Sequence, residues 1–387
     1  MVAAMSTPFR FDPIELPPEC EALRRQVRAF VADELAAGHW RAGGDFGSRH
    51  NAEFSRRLGA KGWIGMTWPK RYGGHERSAL ERYVVTEELL TAGAPVAAHW
   101  IGDRQSGPLL LRFGTEEQRQ SLLPRVARGE IFFAIGMSEP DSGSDLASIR
   151  TKAVPVEGGF ELTGAKVWTS HAHRSHYAIT LCRTSPVDTS DRHKGLTQLV
   201  VDLKAKGVSC RPIKNLAGDL DFNEVVFDKV FVPASMLVGQ AGDGWKQVTS
   251  ELAFERSGPE RFVSTFTLLV ELVRRAGSAP DERTAETIGR LVAHLWTLRR
   301  MSISVAGMLQ AGEMPNLEAA LVKDLGTALE REIPELVRLI AGGRRRASND
   351  RLEELLAEAV LHAPSFTLRG GTREILRGII ARGLGLR

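Results

Sequence analysis

The chain has little cysteine. Cys20, Cys182 and Cys210 are far apart, odd in number and show no C-x-x-C spacing. That argues against a disulfide framework and a cysteine metal site, and makes a reducing cytoplasm the expected compartment. Long apolar runs are also missing, so no membrane-spanning helix is expected. Met1 to Met5 is apolar but brief, and Pro8, Arg10 and Asp12 follow at once, so no signal peptide is expected. Neither sign of charge dominates. A net charge of +4 suits a phosphate-bearing substrate but does not argue for nucleic acid. No internal repeat or low-complexity segment stands out.

What remains is an ordinary globular composition. The 387 residues are 43% hydrophobic and 25% charged, enough for two or three domains. From about Glu19 to Arg128 the apolar spacing is helical, with helices expected over 19–36, 51–58, 77–90, 97–113 and 116–128. A bend is expected at Gly107-Pro108 and a break at Pro124. Asp103, Arg104 and Gln105 either line a pocket or are packing and surface groups. From Ile131 the period changes to strands: 131–137, 149–156, 160–168, 176–183, 197–202, 208–212, 223–230 and a short piece near Phe231. Short strands at this spacing suit a small barrel or sandwich. From Ala241 helices return, interrupted at Gly258-Pro259. They continue over 283–309, 317–340 and 352–361, with a last one from about Thr372, as in an antiparallel bundle.

The most informative stretch runs from Ile131 to Ser170. IFFAIGM reads as a strand that breaks into the turn SEPDSGSD. There Gly143 and Ser144 can bring bare N–H groups and a hydroxyl close to a ligand. A second strand, Phe160 to Trp168, ends in an indole followed by two hydroxyls, Thr169 and Ser170. Two such strand ends can hold a flat, polar-edged cofactor; two ordinary strands joined by a turn are the competing reading. His171, His173 and His176 form H-x-H-x-x-H. With no cysteine pair nearby, a metal is not expected, and they read as polar lining of a cleft or surface. Arg344-Arg345-Arg346 reads as a solvated loop or, less simply, a phosphate contact.

SEPDSGSD followed by KVWTS resembles the flavin-binding signature of the acyl-CoA dehydrogenases. In that family a T/S-E-P-x-x-G-S-D turn precedes a K-x-W-[IT]-[ST] strand. The resemblance runs from about Glu15 to the end of the chain. It implies FAD as cofactor and an α+β fold: an N-terminal helical domain (1–130), a central β-barrel domain (131–240) and a C-terminal four-helix bundle (241–387). It also implies roles. Trp168 would stack on or flank the ring system, Ser170 would donate to its N5/O4 edge, and Ser138 would meet its pyrimidine end. Met137 and Thr169 join these as cofactor-binding positions. Ser144 would sit near the substrate's pantetheine or the cofactor pyrophosphate. Thr372 and Glu374 would touch the flavin or its ribityl chain, and Arg256 the substrate.

In that family the base is usually a glutamate just before a G-T dipeptide near the C-terminus. The matching segment here is LRGGT, and Gly370 occupies the glutamate's position. A minority of the family carries the base on the first helix of the C-terminal domain. LAFERSGPERF matches that segment, with Glu255 followed by Arg256. Pro259 lacks the N–H that would pair with the Glu255 carbonyl, so a kink is expected near Glu255. A solvent-facing Glu255–Arg256 pair is the competing reading; Glu251 and Glu260 lie about a turn away, and Glu260 is less well placed. Gly370 keeps a backbone N–H for the thioester carbonyl, where negative charge develops, and its missing side chain leaves room for a bulky or α-branched acyl group. The implied reaction is FAD-dependent α,β-dehydrogenation of an acyl-CoA thioester, with an electron-transfer flavoprotein as acceptor.

The chain departs from the family at the cofactor's adenine. An R-x-x-F-G turn and a Q-x-x-G-G-x-G motif, both supplied by a neighbouring subunit, are replaced by VELVRRAGS and AEAVLHAPSF. Either a second acyl-CoA dehydrogenase-like chain completes the site in a hetero-oligomer, or a homodimer uses other contacts such as Arg274 or Arg275. Two rival functions are a flavin monooxygenase or desulfinase on the same fold, and a non-catalytic subunit that completes a partner's FAD site.

Overall fold

The computed structural model describes residues 9–43, 49–255, 257–341 and 350–386. Arg256, Arg344, Arg345, Arg346 and the side chains of 251–255 lie outside the described residues. The element order is α1 (Pro18–Ala36), α2 (Ala52–Ala60), α3 (Ala79–Thr91), α4 (Ala97–Ile101), α5 (Gly107–Phe113) and α6 (Glu116–Ala127). Then come β1 (Phe133–Gly136), β2 (Lys152–Val156), β3 (Gly159–Lys166), β4 (Tyr177–Arg183), β5 (Leu196–Asp202), β6 (Val208–Ile213) and β7 (Phe222–Pro233). Last are α7 (Gly244–Glu255), α8 (Phe266–Ala276), α9 (Glu282–Gln310), α10 (Asn316–Ala341), α11 (Arg351–Phe366) and α12 (Arg373–Gly383).

These elements gather into two compact units that do not follow chain order. One holds α2, α4 to α6, the whole sheet and α7; the other holds α1, α3 and α8 to α12. The expected division at 130 and 240 therefore follows the chain, whereas packing sorts the early helices between the two units.

In the first unit the strands form one curled seven-stranded sheet, a half-barrel of order β1-β4-β2-β3-β7-β6 with β5 on β4. Its core is Leu162, Ala178, Cys182, Leu199, Phe227 and Val230, among others. The expected gap before Phe231 is not a chain break. β7 runs on, and the register against β3 shifts between Leu162 and Gly164, leaving Asp228 and Lys229 as a bulge with Lys229 at φ 48°. Thr115 caps α6: its hydroxyl accepts the Gln118 N–H and the Gln118 side chain accepts the Thr115 N–H. The Gln118 amide then donates to the carbonyls of Ser235 and Leu237, fastening α6 to the end of β7.

The prolines within the helices act in different ways. Pro108 cannot donate to the Arg104 carbonyl, and the helix widens just before it. Residues 102–106 form a π turn, with Gly107 N–H bonded to the Gly102 carbonyl. Pro124 does not break α6, and its Cα and Cβ lie close to Gly73. Pro334 lies buried within a continuous α10. The turn at Pro259 behaves as expected in kind but goes further than a kink. α7 stops at Glu255, and Pro259–Arg261 forms a separate 3-10 turn.

In the second unit Cys20, Leu80, Tyr83, Val84, Ile303 and Ala306 form a core between α1, α3 and α9. Arg24 is nearly buried and pairs with Glu87 at 2.9 Å and with Glu88, while Arg299 reaches Glu87 at 2.7 Å. Buried charges persist only when paired in this way. Among the described residues, no helix is long and apolar enough to cross a membrane.

Candidate active site

The two motif segments of the half-barrel meet through a buried ion pair. Lys166, wholly buried at the end of β3, donates to Glu139 Oε1 at 2.8 Å and to the Met137 carbonyl at 3.0 Å. Glu139 also accepts the N–H groups of Arg150 at 2.6 Å and Thr151 at 2.9 Å. Burial pushes the Glu139 carboxyl up, but Lys166 and these donors outweigh it and hold it below the ordinary value. The Val167 N–H adds a bond to the Ser138 carbonyl at 2.9 Å. The glutamate of SEPDSGSD and the lysine of KVWTS thus lock the two strand ends in register. Neither was singled out in the sequence, although both stand in the motifs.

Beyond Lys166 the chain enters a constrained turn. Trp168 sits at φ 59°, a left-handed conformation costing about 1 kcal/mol or more for a residue with a Cβ. Its indole is 59% exposed, standing edge-on to Phe222. The turn is held from behind. Thr169 N–H donates to the Asn223 carbonyl at 3.1 Å, Asn223 Nδ2 donates to the Thr169 carbonyl at 3.0 Å, and His171 N–H donates to the Asp221 carbonyl at 2.7 Å. Strained backbone that presents a large aromatic to solvent is characteristic of a ligand-facing position. Ser170 is half-buried and so keeps part of its side chain exposed. Thr169 does not: its side chain is buried, so it holds the turn through its backbone and offers no hydroxyl at the exposed face. Ser138 is half-buried, and Met137 packs against a cluster of Ile149, Leu181, Leu196 and Val248.

The histidines have protein partners. His173 Nδ1 lies 2.8 Å from Asn223 Oδ1, and Phe132 N–H donates to His176 Nδ1 at 3.1 Å. His171 is buried beside His50, whose pKa is pushed down to about 4 by burial and by His171. Asp103 accepts the Gly65 N–H at 2.7 Å, and Arg104 lies over the Trp100 ring.

Ser144 lines a groove of about 350 Å³ with Asp145, Ser190, Arg192, His193 and Trp245. His193 stacks on Trp245 at 4.0 Å, and Arg192 pairs with Asp145 at 2.7 Å. Buried Arg183 shapes this groove from below by donating to the carbonyls of Ala147 (2.5 Å), Ile149 (3.0 Å), Arg192 (3.0 Å) and Lys194 (3.2 Å). It, too, went unnoticed in the sequence, where a lone arginine on a strand carries no signal.

α7 closes at Glu255, where the helical unit resumes. Gly370 and Gly371 take φ 66° and 95°, both left-handed. Among the described residues no acceptor pairs with the Gly370 N–H. Thr372 is the N-cap of α12, and Glu374 lies exposed in its first turn. The Glu374 carboxyl is held below its ordinary pKa, first by its own backbone N–H and then by the Thr372 side chain. Arg275 pairs with Asp350 at 2.7 Å and Arg274 with Glu271. Glu260 is buried.

An exposed, strained indole with the half-buried hydroxyls of Ser170 and Ser138 near it gives what a flavin needs: an aromatic plate with polar atoms at its edge. The residues present fit FAD on that ground.

Comparison with known proteins agrees with this geometry. Family models for the acyl-CoA dehydrogenase N-terminal, middle and C-terminal domains match residues 17–130, 134–230 and 242–385. Acyl-CoA dehydrogenase IpdE1 of Mycobacterium tuberculosis is 36% identical over 95% of this chain and 98% of its own length. The solved structure described as Tcur3481-Tcur3483 steroid ACAD superposes with a TM-score of 0.85 at 30% identity, covering 96% of this chain and 99% of that one. The ChsE4-ChsE5 complex from Mycobacterium tuberculosis gives 0.82 at 30% identity, over 97% and 100%. The chain belongs to the acyl-CoA dehydrogenase family, and is an FAD-dependent acyl-CoA dehydrogenase.

Proposed function

We propose that Glu255 is the base of this dehydrogenase and that its substrate is a bulky or α-branched acyl-CoA. The observation that carries this reading is the backbone at Gly370. Where most of the family places its acid, this chain has a glycine in the left-handed region, which a glutamate would occupy only under strain. The base must then come from elsewhere, and α7 ends at Glu255, in the segment that matches the family's alternative position.

In this reading Glu255 takes the α-proton onto its carboxylate. The Gly370 N–H donates to the thioester oxygen, where negative charge grows as the Cα–H bond breaks. The β-hydrogen leaves with its electron pair, and the Cα=Cβ bond forms from the electrons of Cα–H. FAD, when bound, accepts that hydride, and the two electrons pass on to a flavoprotein acceptor. Trp168 and Ser170, with Ser138, would hold the ring and its polar edge; Thr372 and Glu374 are assigned to its ribityl side by their place in the motif alone. The groove beside Ser144 suits the nucleotide end of CoA, since it joins a stacked imidazole–indole pair to an arginine. Arg256 is assigned to the substrate by its place in the motif alone.

The likeness to structures described as a steroid ACAD and as a two-component complex supports a ring-bearing acyl group and a heteromer whose second chain grips the adenine. A cytoplasmic location fits the low cysteine count. The test is anaerobic flavin bleaching with straight-chain, α-methyl-branched and ring-bearing acyl-CoA esters. Wild type is expected to bleach with the bulky esters, and Glu255→Gln to slow that by about 10³-fold or more. Bleaching by Glu255→Gln at the wild-type rate would remove the base assignment; preference for short straight chains would remove the substrate class.

A further inference from the structure

α10 carries two fully buried ionisable side chains, Lys323 and Glu330, two turns apart on one face. Both point their charge at the same short turn. Lys323 Nζ donates to the Gly371 carbonyl at 2.5 Å. Glu330 Oε2 accepts from Arg369 Nη2 at 3.3 Å, and Arg369 immediately precedes Gly370.

Glu330 has a second partner. Its Oε1 accepts the Ser264 N–H at 2.9 Å, and Arg369 Nη2 also donates to Ser264 Oγ at 2.7 Å. Ser264, Glu330 and Arg369 therefore form a closed ring of contacts. Ser264 belongs to the buried stretch 257–265 that follows Glu255. The same stretch lies directly on α10 at Gly326, where a Cβ would sit 2.3 Å from the Arg261 carbonyl oxygen. Burial alone would favour the neutral acid at Glu330, and Arg369 and Ser264 oppose that. A hydrophobic side chain would pack such a site without difficulty. A buried carboxylate that reaches two separate segments does something packing cannot: it fixes their relative position to within hydrogen-bond tolerance.

We propose that Glu330 is a positioning residue for the dehydrogenation. Through Ser264 and Arg369 it sets the Gly370 turn against the stretch behind Glu255, so that carbonyl polarisation and α-proton removal act on one thioester. The proposal rests on the assignments of Glu255 and Gly370 above. Misplacing either group by about 1 Å is enough to lose about 10²-fold in rate.

The experiment follows proton removal alone. The probe is the 3-thia analogue of whichever panel ester bleaches wild type fastest; sulfur replaces its β-carbon, so no hydride can leave. Deuterium entry at the α-carbon is measured in D2O by mass spectrometry. Glu330→Gln is expected to slow exchange about 10²-fold while Kd for the probe moves by less than about threefold. Glu330→Asp is expected to recover part of the loss. Ser264→Ala keeps the N–H bond to Glu330 and removes only the hydroxyl that Arg369 reaches. It covers the case in which Glu330→Gln fails to fold, and is expected to slow exchange about tenfold at unchanged Tm. Wild-type exchange in the folded variants overturns the proposal, as does a loss of exchange that merely tracks loss of probe binding. Glu255→Gln run alongside separates the two ideas. If it exchanges normally, the base assignment fails and the positioning role falls with it. If it alone is dead, only the positioning role fails.

Discussion

Replacing Lys166 by methionine removes an ammonium from a place that water does not reach. Lys166 is wholly buried and Glu139 nearly so, and the two lie 2.8 Å apart. Methionine is close in length and volume, so little cavity opens and the effect is mainly electrostatic. The Glu139 carboxylate would keep its two backbone donors, Arg150 and Thr151, and lose its only cation among the described ion pairs. Breaking a buried pair from one side costs about 3–5 kcal/mol. The surviving donors put this case at the lower end, about 3 kcal/mol. Urea unfolding at pH 7 measures it. That pH matters because Glu139 has a lowered folded-state pKa. Its contribution is present above the ordinary carboxylate pKa and disappears as pH falls through the folded value. The consequence for the site is a second readout. The pair ties Met137 and Ser138 to the strand end that leads to Trp168, so flavin should leave the variant faster, seen as a rise in free-flavin fluorescence on dilution. A double-mutant cycle with Glu139→Gln isolates the pair. A loss under about 1 kcal/mol with unchanged flavin retention would refute the reasoning. So would full additivity of the two substitutions, which would mean that the side chains do not act together.

Two further outcomes are expected. His99 is fully buried against Ser55 at 2.8 Å, and burial lowers its pKa from 6.5 to about 4, against the opposing pull of Asp103. A folded-state value below the unfolded one means stability that is intact above about pH 6.5 and lost as pH falls toward 4, by about 3 kcal/mol in all. His99→Gln should therefore flatten the pH dependence of urea unfolding in that window; parallel curves for wild type and variant would contradict it. Expressed alone, the chain is expected to hold less than one FAD per chain and to regain full occupancy when a second acyl-CoA dehydrogenase-like chain is co-expressed. Stoichiometric, tightly held flavin in the isolated chain would dispense with that partner.

Much of the molecule was legible in the residues because its signals are local. The helix over 18–36 follows from an apolar stripe and the cap at Thr115 from its own hydroxyl, whereas the strand expected to reach Trp168 stops at Lys166. The helix and the cap each depend on a few neighbouring side chains and the backbone between them. Gly370 in place of the usual acid was equally plain, since identity at one position needs no fold to be read.

What the sequence could not supply is everything that depends on residues far apart in the chain meeting in space. Nothing about Glu139 or Lys166, separately, says that they pair. Thr169 and Ser170 look alike as neighbours, and only the clamp by Asn223 turns one inward and leaves the other half-exposed. At Pro108 the helix widens into a π turn, and at Pro124 α6 runs on unbroken, which the local proline rule does not foresee. The sequence by itself determined the elements, the cofactor and the family. Only tertiary structure decided which buried charges are shared, because a carboxylate such as Glu330 acquires its partners when folding excludes water and leaves Ser264 and Arg369 as the donors within reach.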